Sequence, residues 1–145
     1  MTSNILAYIS SQNVGVIAIQ MMDGSPHGAA IHFAHTEDPF IFFFETRRDT
    51  LKSQPLHGRE ISLASLVIGS DEKDMKTLQM DGEVRLLKNS EKDLFDKTYL
   101  GKFPAKKDKS QNDGVVFFVF IPKWWRFTDW TGPEGKVILA SDQVR

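Results

Sequence analysis

FIFFFETRRDTLKSQPL (residues 40–56) opens on five consecutive apolar side chains, Phe40 to Phe44, and then turns abruptly polar. Successive side chains of a strand point to opposite faces, so an unbroken apolar run is a strand buried on both faces. The run ends at Glu45-Thr46. Residues Asp49 to Leu56 then read as a brief helix, closed by the Pro55 to Gly58 region.

Upstream, Val14 to Met22 alternates Val14, Val16 and Ala18 with β-branched residues, the pattern of a strand. Asp23-Gly24-Ser25-Pro26 is a turn, and His27 to His35 follows as the returning strand of a hairpin. A second turn, Thr36 to Pro39, leads into the Phe-rich strand. At the start of the chain, Ile5, Leu6 and Ile9 are one helical turn apart after Thr2 or Ser3 as cap, which predicts a short amphipathic helix to Ser11. Downstream, strands are expected at Glu60 to Ile68, Leu78 to Leu87, Val115 to Pro122, Lys123 to Asp129 and Lys136 to Ala140. A helix capped by Ser90 should run to Leu100, before a polar loop from Gly101 to Asp113.

About seven or eight strands joined by hairpin turns, with short helices as connectors, predict a mainly β fold. An antiparallel sheet closed into a barrel fits this order better than alternating βαβ units. The 145 residues are expected to form a single domain, 1–145. With 18 basic and 19 acidic side chains the net charge is −1, which gives nucleic acid and anionic membranes no global attraction. No apolar run approaches the ~20 residues that span a bilayer. There is no cysteine, so disulfides, thiolate nucleophiles and Cys-ligated metals are excluded; a reducing cytoplasm suits such a chain. No metal site is expected, because His32 and His35 point to opposite faces of one strand. Neither a GxSxG elbow nor a glycine-rich phosphate loop occurs. No residue stands out as a catalytic acid or base.

Three clusters invite a ligand. Glu45-Thr46-Arg47-Arg48-Asp49-Thr50-Leu51-Lys52 brings two hydroxyls and three cations to a strand-to-helix turn, which suits a phosphate dianion or, equally, a solvated turn. Thr77 and Gln79 share one face of a strand and could address one ligand, or face water. Pro122-Lys123-Trp124-Trp125-Arg126-Phe127 could stack a planar heterocycle or cap a barrel end. The basic run Ala105 to Lys109 has no interleaved aromatics and reads as a solvated loop.

In their order and spacing, these segments resemble the pyridoxamine 5′-phosphate oxidase-like family, the FMN-binding split barrels, and within it the short general-stress-protein-like branch. The resemblance covers roughly residues 3 to 130. It rests on VGVIAIQMMDGSPHGAAIHF, FIFFFETRRDTLKSQPL, EISLASLVI, LQMDGEVRLL and a helix ending before KFP. It implies an antiparallel split β-barrel of the FMN-binding type, a homodimer with FMN at the subunit interface and an unknown electron donor. Gly28, Ala29 and Ala30 would lay their backbone along the flavin ring. Glu45 and Thr46 on the strand, with Thr50 and Lys52 at the helix, would hold the phosphate. Thr77 takes the position of a flavin-contacting Gln, with Gln79 nearby. Trp124 and Trp125 would reach a cofactor bound mainly by the partner subunit.

Departures from the family pattern bear on activity. True oxidases carry an Arg where Ala29 stands and a second cation where Leu51 stands. Their Arg- and His-bearing C-terminal substrate motif is not recognisable in TGPEGKVILASDQVR (131–145). The expectation is therefore an FMN-binding flavoprotein, an oxidoreductase related to but distinct from a true pyridoxamine 5′-phosphate oxidase. The alternative is a non-enzymatic, stress-related module of the same fold that binds flavin, deazaflavin or haem.

Overall fold

The computed structural model describes residues 1–69, 71–108 and 113–141. Eight strands form one antiparallel sheet: β1 (Val14–Gln20), β2 (Pro26–His32), β3 (Ala34–Glu37), β4 (Phe40–Arg47), β5 (Ser62–Ile68), β6 (Lys76–Leu86), β7 (Val115–Asp129) and β8 (Val137–Ala140). The lateral order is β2-β1-β5-β6-β7-β4-β3, with β8 on the far half of β7. β2 and β3 stand at opposite ends of that order, yet a single residue, Phe33, separates them in the chain. The sheet must therefore curl until its ends meet. This is a split barrel, closed by the covalent chain and not by a hydrogen-bonded ladder.

The interior is filled by alternate side chains. Ile17 and Ile19 of β1, Phe42 and Phe44 of β4, Leu66 of β5 and Phe118 and Phe120 of β7 are fully buried in one cluster. Phe44 and Phe118, directly paired across β4 and β7, stack with centroids 4.9 Å apart. Helix α1 (Ser3–Ser11) adds Ile5, Tyr8 and Ile9 to the same cluster. Thr2 stands at its N-cap and contributes its carbonyl rather than its hydroxyl.

The double burial expected of the Phe-rich strand is observed. Phe43, between the inward Phe42 and Phe44, is also fully buried, in a second cluster outside the barrel. Its cover is α3 (Lys92–Phe95) and the wider turn Asp96–Leu100 that continues it, through Phe95 and Tyr99. Ser90 does not cap this helix. The Glu91 carboxylate turns back to accept the Lys88 N–H at 2.9 Å and pairs with Arg85 at 2.7 Å. The brief helix after β4 is a 3-10 turn, Leu51–Ser53, running into α2 (Gln54–Gly58). No helix among the described residues is long and apolar enough to cross a membrane.

One irregularity sets up the functional face. The two strands expected at 115–122 and 123–129 are a single strand, β7, with a bulge. Opposite β6, Asp81 pairs Trp124 and Gly82 pairs Pro122, so Lys123 is an extra residue. An inserted residue reverses the in-out phase of everything after it. Even-numbered Phe118 and Phe120 point inward before the bulge, odd-numbered Trp125 and Phe127 after it. Gly82 is needed here because a Cβ would come within 2.1 Å of the Ile121 carbonyl oxygen.

Candidate functional site

The first group of candidate residues lies around β2. Among the described residues this strand is hydrogen-bonded only to β1, so one edge of its backbone has no sheet partner there. Gly28 and Ala30 project from its outer face; a Cβ on Gly28 would meet nothing closer than the Ile17 carbonyl, 4.0 Å away. Ala29 pairs with the inward Ile17, so its methyl faces the barrel and only its backbone is offered outward. The 3-10 turn Leu51–Ser53 packs beside β2 and places Lys52 there. Thr46 is buried at the end of β4, its hydroxyl 3.1 Å from that of Thr50, which also bonds the Arg47 carbonyl at 2.9 Å. Ser53 donates to the carbonyls of Arg48 and Thr50 at 2.6 and 2.8 Å, pinning the turn.

Within this group the charges sort themselves. Arg47 is engaged by Asp49 through two hydrogen bonds of 3.0 and 2.7 Å, which holds the Asp49 carboxyl below its ordinary range. Glu45 lies on the other side of β4, where its charge, after burial, helps push the Tyr99 phenol pKa up. Lys52 is half-buried and has no side-chain hydrogen bond or ion pair among the described residues. The hydroxyls of Thr46 and Thr50 brace the turn. Of the three cations, the exposed Arg48 and the half-buried Lys52 have no side-chain partner among the described residues, and Lys52 is the one on the turn beside β2.

The second group lies on the outer face of β6 and β7. Thr77 and Gln79 pair with Thr128 and Arg126, and Asp81 with Trp124. The bulge brings Trp124, Arg126 and Thr128 onto this face, whereas Trp125 packs against the interior cluster. A cavity of about 510 Å³ runs from Trp124 and Lys123 across Ser65 and Ala18 to Gly24 and Pro26 of the β1–β2 hairpin, without reaching Gly28, Ala30 or Lys52. Ser65 donates to Asp81 at 2.6 Å, and Lys123 sits 3.7 Å from Glu83. Arg126, not singled out from the sequence as a ligand contact, has its Nε buried with no acceptor. Read at its even position without the bulge, Arg126 would point into the core; nothing in the sequence marks Lys123 as the extra residue.

The two groups share the outer face but do not meet within one chain. One transverse row runs Ala30, Val16, Val67, Gln79, Arg126. Three strand spacings, roughly 14 Å, separate Ala30 from Gln79. The exposed Val14, Val16 and Leu63 lie on the intervening surface, and the row from Gly28 to Trp124 crosses Ala18 and the hydrogen-bonded Ser65–Asp81 pair. Of the basic loop, Lys106 is held by the Tyr99 hydroxyl at 2.8 Å, and Lys109 lies outside the described residues. The expected strand holding both His32 and His35 is two strands. His32 lies on β2, whereas on β3 His35 stacks on Phe42, its Nε2 buried without a partner.

The family model described as pyridoxamine 5′-phosphate oxidase matches residues 1–129. No curated protein sequence matches the chain. Among solved structures, a haem-binding protein from Mycobacterium smegmatis superposes with a TM-score of 0.73 at 12% identity. The match covers 92% of this chain but only 54% of the mycobacterial protein, about half its length. A Clostridium acetobutylicum protein related to general stress protein 26 gives 0.66 at 13% identity, covering 96% and 93% of the two chains. The haem storage protein of Vibrio cholerae gives 0.69 at 14% identity, covering 83% and 88%. At such identities the likeness is one of fold.

Proposed function

The chain belongs to the pyridoxamine 5′-phosphate oxidase family, and from that premise we propose that it is an FMN-binding flavoprotein whose cofactor lies between two copies of the chain. The observation carrying this reading is the division of the site. An edge strand of small residues beside Lys52 and a polar, aromatic face on β6 and β7 are complementary halves, separated by an uncovered surface over β1 and β5 that carries the exposed Val14, Val16 and Leu63. A two-fold axis through that surface would bring one half of each copy against the other half of its partner.

The residues present fit the group. The open space over Gly28 and the unpaired edge of β2 admit a flat ring against backbone donors and acceptors. Lys52 would hold the phosphate, on the turn that Thr46, Thr50 and Ser53 keep in place. Thr77, Gln79 and Trp124 of the partner would wall the ring from the other side. Bound flavin would supply the hydride or electron chemistry, and the protein orients and tunes it. A true pyridoxamine 5′-phosphate oxidase activity is not proposed, since Ala29 and Leu51 replace the cations that characterise those enzymes.

An absorption spectrum of the purified protein tests the cofactor. Flavin bands are expected; a Soret band would favour haem, the competing ligand suggested by the mycobacterial and Vibrio proteins that share the fold. A Lys–phosphate hydrogen bond is charge-assisted and worth roughly 1.5–3 kcal/mol. Lys52→Ala should therefore weaken FMN by about 10- to 150-fold while leaving riboflavin, which has no phosphate, little changed. Equal losses for both ligands would remove Lys52 from the site.

A further inference from the structure

Arg126 is an unsatisfied cation on a surface built to meet something. Its Nε–H is buried without an acceptor, and its guanidinium enters no ion pair or hydrogen bond among the described residues. Leaving a buried donor unmet is unfavourable, and a charged one more so. Asp81, an acid on the same face of the neighbouring strand, accepts from Ser65 and forms no salt bridge with Arg126. Arg126 is held in place by the ladder: Gln79 is its partner on β6 and Ala140 on β8, while Trp124 stands two residues along the same face.

We propose that Arg126 and Gln79 together read the carbonyl-rimmed pyrimidine edge of the partner-bound flavin, and that the Arg126 charge favours the reduced ring. This rests on the flavin reading above and adds a residue and a role to it. The chemistry of the pair is specific. Directly opposed side chains on neighbouring strands lie about 5 Å apart at Cβ. Guanidinium offers only donors, whereas the Gln79 amide offers a donor and an acceptor. The pyrimidine edge of a flavin presents carbonyl acceptors flanking one N–H, which such a pair complements. Two-electron reduction at neutral to alkaline pH adds two electrons and one proton, the proton going to N5. The ring is left with one extra negative charge spread over N1 and the adjacent carbonyl. A fixed guanidinium there binds the reduced ring more tightly than the oxidised one. No electron donor need be specified, because the potential is an equilibrium property.

The test is a reductive titration of FMN-loaded protein at pH 8, with dithionite as reductant and a reference dye reporting the potential. Arg126→Gln should weaken the reduced form about tenfold relative to the oxidised form, a fall of about 30 mV for a two-electron couple. Arg126→Lys, which keeps the charge, should recover at least half of that fall. Oxidised FMN should still bind each variant, with the dimer mass and melting temperature close to the parent's. Failure of the parent protein to bind FMN would overturn both this inference and the flavin reading. Tight FMN binding with the same potential in Arg126→Gln would overturn the Arg126 role alone. Loss of the dimer in Arg126→Gln with the potential unmoved would also overturn it, since the acceptor would then be a carboxylate of the second copy.

Discussion

The outer surface of the barrel is treated in two ways. Over β4 the chain covers itself: Ile41, Phe43 and Val119 are buried beneath Phe95 and Tyr99 of α3 and its continuing turn. Over β1 and β5 no segment among the described residues covers Val14, Val16 and Leu63, which remain exposed in the middle of the sheet. Both patches are apolar, so composition does not distinguish them. Their neighbours do. The covered patch is surrounded by core, and the bare one by the two halves of the candidate site. The bare patch is the surface that the proposed dimer would cover.

Truncation should separate the two faces most sharply. Phe43→Ala removes a fully buried ring packed edge-on against Phe95, with centroids 5.8 Å apart. Such a change costs about 3–5 kcal/mol, and the melting temperature should fall by roughly 10 °C or more. Leu63→Lys on the open face should leave the fold of each copy within about 0.5 kcal/mol, because the new cation faces Glu83 across the ladder. It should instead turn a dimer into a monomer by light scattering and weaken FMN. A Leu63→Lys protein that melts as low as Phe43→Ala, with its mass unchanged, would erase the distinction between the faces.

How much of this was legible in the sequence follows from the same contrast. Five apolar residues in a row have one reading, so the double burial of β4 could be stated before any coordinates. The bulge in β7 could not, because Lys123 is an ordinary residue and only the close approach of Ile121 to Gly82 reveals the phase change. Its consequence is that Trp124 and Trp125, adjacent and alike in sequence, end on opposite faces. Likewise His27 to His35 reads as one strand, whereas Phe33 is the joint at which the chain leaves one end of the sheet for the other. The gathering of hydroxyls and cations at residues 45–52 was legible in the sequence. Which of its cations is engaged depends on the Arg47–Asp49 pair, a matter of local geometry.

The smallest expected effect concerns pH and lies on neither outer patch but on the inward face of β3, beside the interior cluster. His35 packs on the rings of Phe40 and Phe42, and burial, assisted by the Lys102 charge, lowers its pKa from 6.5 to about 4. A folded-state pKa below the unfolded one means that, between those values, the unfolded chain binds a proton the folded chain refuses. Stability should therefore decline as pH falls from about 6.5 to about 4, and this histidine adds no further loss below that. His32 is lowered in the same direction, by burial and then by the Lys106 and Lys102 charges, and acts in the same window; the remaining shifted groups act in other windows. Burial lowers Lys102 to about 8, so its contribution changes between there and its ordinary 10.5. Asp23, Asp49, Glu91 and Asp129 are held below their ordinary values by their hydrogen bonds, and their contributions disappear at the acidic end. Urea midpoints measured from pH 7 to pH 4.5 should register the loss, and the difference between the parent and His35→Phe separates His35 from His32. His35→Phe, which continues the ring stack without a titrating group, should flatten that slope, whereas Leu63→Lys should leave it as it is. An unchanged slope in His35→Phe would mean that the ring takes its proton without leaving its place on Phe42, and that this edge of the barrel interior is more open to water than its packing indicates.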